Sequence, residues 1–356
     1  MKKFLALILA LVIVLSLVAC GSPKTEAPAA PAAPAANDAP AAEASGEDYG
    51  TYNWTLAMTV AETTTNYKMV EYFANLMNEK SNGSITIDLY PGGQLANTTE
   101  QDEACVAGSI DMVTGMTSDL TDFVKEMALF DMPNVFDDID HMRRFLESDY
   151  AKVQINQYCE ASGIHMLAFS DAGFRQLTTN KPTASVADLA NQKIRTMTNK
   201  YHMAYWNSVA SAVPMQFNEL FMGLQQGTVD GQENPYMNIV GNNLQEVQKY
   251  IVETNHVGHI IVFFMNNDLY QSLPENTRAL VDECAAEAAE FAKGVASESI
   301  EKDKQICIDA GCEIVTFTNE DLATLRENAQ IVYDMVKEDL GAETVQLFQD
   351  AIEAAR

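Results

Sequence analysis

The chain has 356 residues, 47% of them apolar, and its 22 lysines and arginines face 50 aspartates and glutamates for a formal charge of −28. Nucleic acid and anionic lipid surfaces are poor partners for so acidic a body, because both present dense negative charge. A small anionic ligand is not excluded, since a local arginine pocket outweighs a distant field that salt screens within about 10 Å.

The opening MKKFLALILALVIVLSLVAC has the three parts of a secretory signal: Lys2 and Lys3, an apolar run, and a small-residue exit. The run is short for a bilayer span of about 20 residues. Leu17-Val-Ala-Cys20 resembles the lipobox of bacterial lipoproteins, so residues 1–19 are predicted to be removed and Cys20 to carry lipid. Losing the two lysines brings the charge to −30. The mature chain is then tethered outside the cytoplasmic membrane. Residues 20–48 are Ala/Pro-rich with little to bury, which predicts an extended spacer. Composition turns globular near Tyr49, and the roughly 300 residues that follow are large for a single core. Two lobes are expected.

Tyr52–Thr59 reads as a strand, followed by the polar loop VAETTTNY. Apolar positions at 69/70, 73 and 76/77 have helical spacing, Ser81-Asn-Gly83 stops that helix, and Ser84–Tyr90 alternates as a strand. A second helix is predicted over 98–107 and a short strand over Ile110–Thr114. Strand, helix, strand, helix, strand is the order of an α/β lobe with a central sheet. Further strands are predicted at Ile164–Phe169 and Lys193–Thr196, helices at 200–210 and 218–226, and a strand edge at Val229. From Pro274 to about Ala310 apolar residues recur at helical spacing, interrupted only by Gly294. A helix of that length spans over 50 Å at about 1.5 Å per residue, more than one lobe needs. It is expected to lie across both lobes.

Setting Cys20 aside leaves Cys105, Cys159, Cys284, Cys307 and Cys312, an odd number without the spacing of a disulfide framework or a metal site. Buried reduced thiols are the expectation. Glu253-Thr-Asn-His256-Val-Gly-His259 has the wrong spacing for a zinc helix and reads as structural histidines near a strand start. No nucleophile elbow, phosphate loop or dinucleotide fingerprint occurs, so neither catalysis nor a cofactor is expected.

Recognition has better candidates. Arg175 in GFRQLTT and Arg195 in KIRTMTN stand near strand ends, where α/β loops collect ligands. A guanidinium fork binds a carboxylate through two parallel hydrogen bonds. Either arginine could instead be held in an ion pair with one of the many acids. The stretch TVDGQENP, residues 228–235, reads as a turn at Asp-Gly with Pro235 extending Asn234, so its polar side chains would stand on a constrained corner.

AVPMQFNELFMGLQQGTVDGQENP, with LQEVQKYIVETNH after it, closely resembles the solute-binding proteins of TRAP transporters of the DctP type. SITIDLYPGGQL, AGSIDMV, LFDMPNVFDD and GFRQLTTNKP resemble the same family in the same order, so the likeness covers about 52–340. The resemblance implies an α/β, two-lobe, periplasmic-binding-protein-like fold with mixed central sheets. Chain crossings near 172 and 260 would make lobe I of 49–172 plus 260–299 and lobe II of 173–259 plus 300–356. It implies a ligand carboxylate bound by Arg195, with Arg175, Asn234, Phe217, Thr198, Thr59, Met116 and Thr117 around it. It also implies capture of a small organic acid for delivery to the permease subunits of a gradient-driven TRAP transporter. An extracytoplasmic sensor serving a membrane receptor would have the same cleft, and a lipoprotein enzyme is the third possibility. Asn191, Thr196-Met197 and Phe221 depart from the family's usual residues, and Met116 stands where some relatives carry an acid. The arginine clamp is intact; the rest of the ligand is unread.

Overall fold

The computed structural model describes residues 47–356, and the signal segment, Cys20 and the spacer up to residue 46 lie outside them. The strands are β1 (Tyr52–Ala57), β2 (Ile85–Tyr90), β3 (Met112–Met116), β4 (Ile164–Phe174), β5 (Gln176–Thr179), β6 (Lys193–Thr196), β7 (Ser211–Pro214), β8 (Gly231–Asn234), β9 (Tyr250–Val252), β10 (Gly258–Asn266) and β11 (Glu313–Val315). They form two mixed sheets, β2-β1-β3-β10-β4 and β11-β9-β5-β8-β6-β7. This is a two-lobe α/β fold.

The run GHIIVFFMN of β10 is buried at all nine positions, as a strand covered on both faces requires. It pairs antiparallel with both β3 and β4. The helix Thr65–Lys80 starts where the Thr64 hydroxyl accepts the Tyr67 amide and buries Met69, Val70, Phe73 and Met77 along one face. It ends where Asn82 and Gly83 take positive φ, at 54° and 80°, a conformation that glycine adopts without a Cβ penalty. Phe73 meets Phe263 of β10 edge to face at 4.8 Å.

The helix Glu275–Asp309 runs 35 residues. Its alanines Ala285, Ala288, Ala289, Ala292 and Ala296 are buried, and small side chains let it lie close against its neighbours. It contacts the helix Thr65–Lys80 and β4 of the first sheet's side and the helix Tyr236–Gly241 of the second. The last helix, Ala342–Ala354, sets Phe348 against Phe130 and Phe145, which flank the first sheet.

The chain passes from the first sheet to the second at Arg175, between β4 and β5, and returns between β9 and β10. There the Arg175 amide donates to the Val257 carbonyl at 3.0 Å, tying the crossings together.

The structure corrects the reading of TVDGQENP. Gly231–Asn234 is a strand, not a corner; β8 lies between β5 and β6 and is buried at every position. Its glycine is a packing residue, because a Cβ there would collide with the Thr178 carbonyl of β5. Strands β5, β7, β9 and β11 have three or four residues each, too short for an alternation to register. The five cysteines among the described residues are buried and unpaired.

Candidate ligand-binding site

The cavity between the sheets has a volume of about 50 Å³. Its walls come from the β1 exit (Thr59, Val60), the helix start at Asn66 and Thr98, the β3 end (Thr114, Gly115, Met116, Asp119), the crossings (Arg175, His259) and the second sheet (Arg195, Met197, Thr198, Met215, Gln216, Phe217, Asn234, Asn238). Seven of the residues expected from sequence therefore converge: Arg195, Arg175, Asn234, Phe217, Thr198, Thr59 and Met116. Thr117 is buried beside Met116 but does not line the cavity.

The two arginines differ in their partners. Arg175 is gripped by Glu233: Nη2 donates to Oε1 at 2.9 Å and to the Glu233 carbonyl at 2.6 Å, and Nε donates to Oε2. Its Nη1 lies 2.7 Å from His259 Nδ1. The ion-pair alternative thus holds for Arg175, whose positive charge is already met. Arg195 makes its hydrogen bonds to one neutral acceptor, the Met215 carbonyl, from Nε at 2.9 Å and Nη2 at 2.6 Å. Its Nη1 is buried and without a partner, and its guanidinium lies 5.8 Å from the centre of the Phe217 ring. Burial pushes Arg195 down to about 10, with Arg175 adding to the shift and Glu233 opposing it, so it stays charged at neutral pH.

Glu233 needs its partners. Burial opposes its ionised form, yet Arg175, His256 and His202 together hold it well below the usual carboxylate range. His256 Nε2 lies 3.1 Å from Glu233 Oε2, and burial pushes both His256 and His259 down, keeping the imidazoles neutral. The pair of histidines in the sequence is thus a brace for the Arg175–Glu233 pair. Among the described residues no cluster of three or more His, Cys, Asp or Glu side chains is arranged to hold a metal.

A second polar group joins the two sides. Asn199 Nδ2 donates to the Ser118 carbonyl at 2.9 Å and to Asp131 Oδ2 at 2.8 Å, while His202 Nε2 lies 3.1 Å from Asp131 Oδ1. Asn199 also caps the helix Lys200–Asn207 through its side-chain oxygen. These contacts hold the walls together beside the cavity.

A larger cavity, about 700 Å³, lies on the other face of the crossing strand: Phe174 and Gln176 line it, while Arg175 between them faces the smaller one. Of its two cations, Lys304 and Arg326, the first is taken by Glu253 at 2.6 Å, and Asp137, Asp138 and Glu301 add further acids to its wall.

Asn66, Asp119, Gln216 and Asn238 are site residues that the sequence reading missed. Asn66 lies in the polar loop VAETTTNY, whose place after the first strand was the available signal; nothing local marks Asp119 or Asn238.

Two α/β lobes around a small cavity that holds a buried, unpaired guanidinium define a solute-binding protein. The sequence from 56 to 339 matches the bacterial extracellular solute-binding proteins, family 7 (DctP). The chain belongs to this family, the solute-binding proteins of TRAP transporters. The C4-dicarboxylate-binding periplasmic protein DctP of Rhodobacter capsulatus is 32% identical over 292 residues, which are 80% of this chain and 86% of that protein. A solved TRAP periplasmic solute-binding protein of Sulfurospirillum deleyianum, with bound succinate, has a TM-score of 0.79 at 27% identity and covers 84% of this chain and 99% of its own. The sugar acid binding protein of Advenella mimigardefordensis, in complex with galactonate, has a TM-score of 0.83 at 24% identity, a likeness of fold, over 87% and 100% of the two chains. No helix among the described residues is long and apolar enough to cross a membrane.

Proposed function

We propose that this protein captures a small organic acid outside the cytoplasmic membrane and delivers it to the membrane permease of a TRAP transporter, without chemical turnover. The observation that carries the reading is Arg195: a buried, charged guanidinium whose Nη1 has no partner. A buried donor left unpaired costs about 1–3 kcal/mol, more when charged, which a bound carboxylate would recover. Nη1 supplies the charge-assisted contact, Phe217 covers an apolar part, and Asn234, Thr198, Thr59 and Met116 complete the walls. Arg175, neutralised by Glu233, acts through its position and not as a second clamp. The ligands of these relatives, C4-dicarboxylates, succinate and galactonate, are all organic acids.

In this reading lobe I comprises 49–172 plus 260–299 and lobe II 173–259 plus 300–341, while the last helix, expected in lobe II, packs on lobe I through Phe348, and the lobes close over the ligand. Closure excludes water and strengthens the ion pair. The signal 1–19, lipid on Cys20 and the spacer to residue 48 would tether the body to the membrane surface, in keeping with the sequence of the first 48 residues.

A thermal-shift screen with organic acids and uncharged solutes tests the proposal. Ligand at 100 times its dissociation constant adds about 2.7 kcal/mol of stability. An acid that raises the melting temperature, with the rise lost in Arg195→Ala, supports the clamp. A response to uncharged solutes alone, or an unchanged response in Arg195→Ala, rejects it.

A further inference from the structure

The cavity contains more unmet acceptors than unmet donors. Two buried amide oxygens on its wall, Asn66 Oδ1 and Asn238 Oδ1, have no hydrogen-bond partner. Their orientations follow from their neighbours. Asn66 gives its Nδ2 to the Gly115 carbonyl at 3.2 Å, an atom that only accepts, so its oxygen faces away. Asn238 stands at the end of a one-way relay. Gln248 Nε2 donates to the Val247 carbonyl at 2.9 Å, leaving its oxygen to accept from Thr178 at 2.7 Å. Thr178 accepts from Gln232 at 3.0 Å, Gln232 from Asn234, and Asn234 from Asn238 at 3.0 Å. The relay uses an N–H of Asn238 and leaves its oxygen over.

Asp119 adds a third acceptor. It lines the cavity with part of its surface open and is held by the Met116 amide, which donates to Oδ2 at 3.0 Å. One turn along the helix from the wall residue Thr98 stands Asp102, buried, with Oδ2 unpartnered and within the field of Asp119. Burial raises both acids, Asp102 well above the ordinary 3.8 and Asp119 to about 6, and Asp119 therefore keeps its charge at neutral pH. With Arg175 cancelled by Glu233, Arg195 is the one guanidinium on the wall without a carboxylate partner. The wall has no further arginine or lysine for a second ligand carboxylate, and Asp119 adds a negative charge there.

We infer that the cavity selects an acid with a single carboxylate and several hydroxyl groups, Arg195 taking the carboxylate and Asp119, Asn66 and Asn238 accepting from the hydroxyls. Dicarboxylates are rejected by Asp119. The inference rests on the organic-acid reading above and narrows it.

Calorimetric titration of the protein with paired acids that differ only at the far carbon tests it: erythronate against tartrate, and gluconate against glucarate, with butanoate and succinate as hydroxyl-free controls. Each diacid of a pair should bind at least about tenfold more weakly than its hydroxy monoacid, because a like charge in a closed site is strongly unfavourable. Asp119→Asn should narrow that ratio by about tenfold. The wild-type ratio is read without any variant, so misfolding of Asp119→Asn cannot mask the result. Tighter or equal binding of the diacids, a ratio unmoved in a folded Asp119→Asn, or binding confined to butanoate or succinate overturns the inference and leaves the organic-acid reading standing. Silence toward every acid removes both.

Discussion

Glu233 holds Arg175 in a buried, two-pronged ion pair that His256 braces from the far side, at 3.1 Å from Glu233 Oε2. The pair lies where the chain crosses between its sheets, so it fixes the cavity wall and leaves Arg195 as the arginine free to meet a ligand. Removing one partner of such a pair strands a charge in low dielectric. Glu233→Gln should therefore lower stability by about 3–5 kcal/mol in denaturant unfolding. Glu233 is held below its ordinary 4.5, so its contribution is present above that value and lost as pH falls below it. The destabilisation caused by Glu233→Gln should accordingly shrink on acidification.

Arg195→Lys keeps the charge and loses the planar fork that holds the Met215 carbonyl while presenting Nη1. Hydrogen bonds to charged groups contribute about 1.5–3 kcal/mol. Affinity for the acid identified in the thermal screen should fall by about tenfold to a hundredfold in calorimetry. An unchanged dissociation constant would mean that the carboxylate lies elsewhere.

Asp119 carries an opposite pH signature. Its folded value is raised from 3.8 to about 6 by burial, against the Met116 amide and the fields of Arg175 and Arg195, with Asp131 adding to the rise. Between those values the folded state binds more protons than the unfolded one, so its contribution to stability is present below 3.8 and is lost as pH rises through about 6. Asp119→Asn should thus raise the ligand-free melting temperature by a few degrees at pH 7–8 and leave it unchanged near pH 3.5 (about 1 kcal/mol moves a domain of this size by roughly 2–4 °C). Melting curves across pH decide it.

Asn199→Ser keeps an oxygen for the helix cap and is too short to reach the Ser118 carbonyl and Asp131. Each lost contact is worth about 0.5–3 kcal/mol, the upper part applying to the charged acceptor. Ligand should dissociate about tenfold faster in stopped-flow experiments, although residue 199 is not on the cavity wall.

The helices around Met69 and from Pro274 to Ala310 and the strands β1 to β4 were legible because their signals are local: Met69, Phe73 and Met77 repeat at the helical period. GHIIVFFMN was read only as a strand start beside the histidines, and it is apolar throughout because both its faces are covered. GFRQLTT and KIRTMTN were equally visible as the places where arginines stand. What those arginines do was decided by contacts across 58 residues, between Arg175 and Glu233, and across 20, between Arg195 and Met215. No local pattern encodes which of two arginines receives an acid. DGQENP reads locally as a turn, and it became a buried strand because β5 and β6 close on either side of a glycine that has no Cβ to resist them. Asp119 and Asn238 entered the cavity in the same way, brought together by the meeting of two lobes. Sequence determined the elements and the resemblance; the tertiary structure distributed the charges among them, because pairing in a buried site depends on distance in space and burial, which spacing along the chain does not record.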